Sequence, residues 1–137
     1  MELNDALFSY LSTHAGLSAL VGTRIYPDKL PDKITLPAIA FQLVSEGEEE
    51  TFMQPSTDLV VSTYTFTVWA SSRSAAHNAG KQIRVAFKNY SGTMGGAGGV
   101  SVNAVRKVGR FTDVDMTREG AITAYKNVLD FEIWYQM

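Results

Sequence analysis

The sequence predicts an α+β domain: a four-stranded, mainly antiparallel sheet with helices packed on one face, in the order α-β-β-α-β-β. Three observations carry this reading. Two segments repeat apolar residues at the helical period. Four others are apolar-rich or alternate with period two, and favour β-branched and aromatic residues. Between them lie breaks of glycine, proline and clustered charge. At 137 residues the chain has the size of one domain. No composition shift or fixed-period repeat divides residues 1–137.

The elements follow in order. Leu3, Ala6, Leu7, Tyr10 and Leu11 form one apolar stripe, with Glu2 and Asp5 in the first turn, where the helix dipole favours acids. Gly16 is the expected stop, and a short helical turn at Leu17–Val21 is closed by Gly22. Pro27, Pro31 and Pro37 make residues 23–37 irregular, because proline is excluded from helix interiors and central strands. Residues 38–45 read as a strand and 46–57 as a loop. Residues 58–70 give the strongest strand signal: Tyr64, Phe66, Val68 and Ala70 alternate with Thr63, Thr65, Thr67 and Trp69. A helix over about 73–89 follows, with Ala76, Ala79, Gly80, Ile83, Ala86, Phe87 and Tyr90 on one stripe and Ser71 or Ser72 as cap. Residues 89–99 hold five glycines and read as a flexible connection. Two closing strands, 100–112 and 121–136, are joined by a charged turn at 113–120.

Composition excludes several function classes. Apolar residues make up 45% and charged residues 19%, a globular balance. With no cysteine there are no disulfides, thiolate zinc sites or thiol catalysis. A net charge of -2 argues against a dedicated nucleic-acid binder, whose affinity comes mainly from neutralising phosphates. No stretch approaches the ~20 apolar residues of a membrane span. The first residues carry acids where a signal peptide carries Lys or Arg. The expectation is a soluble, intracellular, single-domain protein.

No catalytic, cofactor-binding or metal-ligating constellation can be assembled. His14 and His77 have no acid or second histidine at helical spacing, and metal sites need several ligands. No serine lies in a Gly-x-Ser-x-Gly turn. Asp113 and Asp115 sit beside Thr112, Thr117, Arg118 and Glu119, and read as a solvated hairpin end. The run Gly95 to Gly99 lacks the lysine and following helix of a phosphate loop.

What remains is surface chemistry. Glu46, Glu48, Glu49 and Glu50 are the densest charge feature, suited to an electrostatic protein contact or to the lining of a channel that repels DNA. Arg106 and Arg110 lie four apart on a strand, hence on one expected face, where they would meet the acidic loop of a neighbouring copy. Trp69 and Trp134 both fall opposite the expected core face. An interface and a second layer of the same chain account for them equally well.

The order of landmarks resembles a known family. Arg24-Ile25-Tyr26-Pro27, Leu36-Pro37-Ala38-Ile39-Ala40-Phe41, Phe66-Thr67-Val68-Trp69-Ala70-Ser71-Ser72-Arg73 and Asp130-Phe131-Glu132-Ile133-Trp134-Tyr135 together look like the small tail-completion (head–tail joining) proteins of long-tailed bacteriophages, related in fold to tail terminators. The similarity spans nearly the whole chain. The resemblance implies a non-enzymatic virion component without cofactors, assembled in the host cytoplasm. It implies a ring, typically of six copies, at the head-proximal end of the tail. Its partners would be itself, the tail tube protein and the head connector or head-completion protein. DNA would pass through the lumen without specific binding, and no membrane is involved. The alternatives are a terminator that stops tube growth, a small α+β enzyme or ligand-binding domain, and an exposed sheet that binds nucleic acid. The third class would show salt-sensitive DNA retention.

Overall fold

The computed structural model describes residues 2–28, 35–48, 59–116 and 123–136, and at 48, 110–116 and 123–124 the backbone alone. Helices α1 (Leu3–Thr13) and α2 (Ala15–Val21) open the chain. Strands β1 (Ile25–Pro27), β2 (Ala38–Glu48) and β3 (Leu59–Ala70) follow, then α3 (Arg73–Phe87). Strands β4 (Gly92–Met94), β5 (Val100–Met116) and β6 (Thr123–Gln136) close it.

The expected four-stranded sheet is overturned. The sheet has six strands in the order β1-β2-β3-β6-β5-β4, and it is mixed: β1 runs parallel to β2 and the other neighbours are antiparallel. Three helices replace the expected two in the element order. Both added strands are three residues long and lie at the sheet edges. So short a segment shows no period, and its turn-forming residues mask it. Pro27 is tolerated because an edge strand leaves one side unpaired.

The glycine run is likewise a built turn rather than a flexible connection. It closes the β4–β5 hairpin, with Gly96 at φ 80° and the Gly99 N–H donating to the Gly96 carbonyl at 3.0 Å. A Cβ at Gly99 would strike the Met94 carbonyl. Met94, the apolar residue of that segment, is fully buried.

Boundaries moved for local reasons. Helix α1 ends before Gly16, because the His14 backbone leaves the helix at ψ 122° and its Nδ1 accepts from the Leu17 N–H to cap α2. Ser72 caps α3 by accepting from the Ala75 N–H at 3.1 Å. Strand β2 runs on to Glu48, so Glu46 and Glu48 belong to a strand and not to a loop. Strand β5 runs on to Met116, placing Asp113 and Asp115 opposite Lys126 and Ala124 in the ladder. The remainder of the expected hairpin turn, residues 117–122, lies outside the described residues.

The core fills the inner, concave face. On β3, Val60, Ser62, Tyr64, Phe66, Val68 and Ala70 are buried while every intervening residue is half-buried. Phe66 is packed edge-on to Phe87 of α3 (5.3 Å, 87°) and Phe131 of β6 (5.7 Å, 67°). Helix α1 touches both β1 and β4, the opposite edges of the sheet. The sheet therefore curls around that helix.

Helix α3 approaches β6 closely at Gly80, where a Cβ would collide with the Asn127 side-chain amide. Asn127 is buried, and its Nδ2 donates to the Ala76 carbonyl at 3.2 Å. Helix propensity alone favours alanine here by ~1 kcal/mol. The collision outweighs that gain, since overpacking costs about 1–3 kcal/mol. Gly80→Ala is therefore expected to destabilise the protein, read as a lower urea midpoint. A raised midpoint would show that Asn127 can yield.

Candidate assembly surface

The strand alternation builds the outer face. Val61, Thr63, Thr65, Thr67 and Trp69 of β3 point away from the core, beside Lys126, Asp130, Glu132 and Trp134 of β6. Helices α1 and α3 pack into the cluster formed by the opposite set, so among the described residues no helix covers this face.

Both tryptophans lie on it. Trp69 stands in register between Ala38 and Lys126, whose Nζ sits 5.0 Å from the indole centroid. Trp134 stands between Val61 and Ala104. The two positions are eight residues apart in β3 register, about 26 Å along the sheet. The strip between them is threonine-rich and crossed by polar pairs: Thr65 Oγ1 donates to Asp130 Oδ1 at 2.7 Å, and Arg106 pairs with Glu132.

Arg106 pairs with Glu132 on the outer side. A bulge between Lys107 and Gly109 shifts the register beyond it, so the Arg110 backbone lies opposite Leu129. The Arg110 side chain, and with it the expected shared face, lies outside the described residues. Arg106, 70% exposed, joins Trp134 and Trp69 on the outer surface.

Glu46 lies elsewhere. Its Oε1 accepts from Ser62 Oγ at 3.1 Å and from the Tyr135 hydroxyl, both inner-face residues. Tyr64 donates to Asn4 Oδ1 at 2.6 Å, which ties α1 to the same end of the sheet. Asn4, Glu46, Tyr64 and Tyr135 line a cleft of about 640 Å³. Only the backbone of Glu48 is described, and Glu49 and Glu50 lie outside the described residues. Sequence reading missed Ser62, Tyr135 and Glu132, because cross-strand partners emerge only once register is known. Among the described residues no group of three His, Asp or Glu is placed to hold a metal, and no helix is long and apolar enough to cross a membrane.

Burial raises the Tyr135 hydroxyl above the ordinary tyrosine pKa, and its bond to Glu46 adds to this. Burial likewise raises Tyr64, with Tyr135 and Glu46 adding negative charge nearby. The folded state thus keeps protons that the unfolded chain loses near pH 10.0. The stability they contribute is complete below that pH and lost as pH rises towards the folded-state values. Thermal melts are expected to show no loss from these groups up to about pH 9.5 and a decline above pH 10. Tyr135→Phe should blunt the decline.

A model of the family described as tail completion protein gp17 matches residues 5–136. A solved chain from the virion of a native gene transfer agent particle is similar in fold, with a TM-score of 0.66 at 16% identity. The likeness covers 98% of this chain and 95% of that one. No curated protein matches significantly.

Proposed function

The chain belongs to the tail completion protein gp17 family, and from that premise we propose how it performs a structural tail-completion role in a virion. Copies assemble, typically as a ring of six, at the head-proximal end of the tail. The ring completes the tail tube, meets the head connector and leaves a lumen for DNA. Its work is mechanical, with no catalysis.

The observation that carries this reading is the outer sheet face, bracketed by Trp69 and Trp134, over which no helix packs among the described residues. Aromatic residues at an open face are enriched in protein interfaces. Subunits of a ring present two different patches to each other, and the outer sheet face supplies one of them.

Electron microscopy of lysates from a virus with this gene disrupted tests the role. Filled heads beside separate tails, joined on adding the protein, are expected. Overlong tail tubes would establish a terminator instead. Normal virions would overturn both.

A further inference from the structure

Helix α3 and the inner side of β5 enclose a second cleft of about 660 Å³. Lys81, Arg84 and Lys88 follow one another at helical spacing along one wall, and Lys107 stands on the other. Each is exposed, and none forms an ion pair among the described residues. The floor between them is apolar, including Val85 and the half-buried Val105. Val85 is 51% exposed, an uncovered hydrophobe on a wall of like charges.

Five cations line the cleft; all but Arg106, which Glu132 pairs, repel one another without a counter-charge among the described residues, and an anionic ligand would relieve that repulsion. The chain itself carries a matching sequence: Glu46-Gly47-Glu48-Glu49-Glu50 is followed at once by Thr51-Phe52-Met53. Its acids match the rim and its apolar pair matches the floor. Glu46 and Glu48 belong to the β2 end of the sheet, with β3 and β6 between them and β5. A neighbouring molecule can present the run without crossing those strands.

We infer that the α3–β5 cleft is a receptor for the acidic segment 46–53 of a second copy of this chain. Glu48, Glu49 and Glu50 would meet Lys81, Arg84, Lys88 and Lys107, and Phe52 and Met53 would cover Val85 and Val105. This rests on the reading that copies of the chain assemble with one another. A nucleic-acid backbone would use the rim charges but leave the apolar floor uncovered.

The test is a titration of a fluorescent peptide of residues 45–55 onto the full chain, read by anisotropy at low salt. The same peptide is titrated onto two variants. One has its own run neutralised (Glu48→Gln, Glu49→Gln, Glu50→Gln). The other has the helix wall reversed (Lys81→Glu, Arg84→Glu, Lys88→Glu), with its fold checked by circular dichroism. Binding to the wild type and the neutralised chain is expected, weakened at least about tenfold by the reversed wall and by added salt. A peptide with lysine at the three glutamates should regain binding to the reversed wall.

Absent binding, or equal binding to the reversed wall, overturns the inference. Binding to the neutralised chain alone would show that each molecule fills its own cleft, which also overturns it. So would cleft-dependent binding of duplex DNA in preference to the peptide. The titration reads the isolated protein and the gene disruption reads the virion, so failure of one is distinguishable from failure of the other.

Discussion

Phe66→Ala is expected to lower stability by about 3–5 kcal/mol, the range for an aromatic ring removed from a packed core. For a domain of this length that is a fall in Tm of about 10–20 °C. The size follows from position. Phe66 is fully buried at the centre of the sheet and contacts Phe41 (5.9 Å), Phe87 and Phe131 at once. Helix α3 holds Phe87 over β3 and β6, so no single element can move inward to close the void. Val85→Ala, on an exposed position of α3, is the control and should change stability by less than about 0.5 kcal/mol. Differential scanning calorimetry of the two variants decides the matter. A Tm loss of only a few degrees for Phe66→Ala would mean that the sheet can collapse onto the cavity.

The second large effect is functional. Trp69→Lys with Trp134→Lys is expected to leave the fold in place and abolish tail joining. Lysine keeps an aliphatic stem to cover Ala38, Val61 and Ala104, so the cost to the isolated chain is modest. At an interface the same change removes two aromatic anchors and puts charge where a partner must exclude water. Such anchors contribute at least about 2 kcal/mol each, about thirtyfold in affinity. A closed assembly repeats the loss at every contact. The expected outcome is a Tm within several degrees of the wild type and a fall of at least about a hundredfold in joined particles on add-back. Phenylalanine at both positions should restore part of the activity. Undiminished joining by the lysine variant would remove the outer face as the assembly surface.

The legible parts of the structure were those that repeat. The stripe from Leu3 to Leu11 and the alternation through Tyr64, Phe66 and Val68 each state a period several times over, and the structure buries those residues. The outer placement of Trp69 and Trp134 follows from the same alternation. Edge strands β1 and β4 were not legible, because three residues cannot display a period, and proline and glycine there signal turns. Glu46 and Glu48 read as loop because charge runs are usually solvated, yet the β2 ladder extends through them, and Ser62 and Tyr135 hold the Glu46 carboxylate. Lys81, Arg84 and Lys88 meet Lys107 across a cleft, a juxtaposition that no local pattern displays.

The local pattern was enough for the two long helices, the four long strands, the core-facing residues of α1, α3, β3 and β6, and the resemblance to tail-completion proteins. Each of these depends on near neighbours along the chain. The six-stranded mixed sheet, its curl around α1 and the β5 bulge between Lys107 and Gly109 emerged only in three dimensions. A bulge, a register and an edge pairing are contacts between segments far apart in the chain. Their free energy comes from the partner strand as much as from the residues themselves. No local pattern encodes that term, so it appears only when the strands meet.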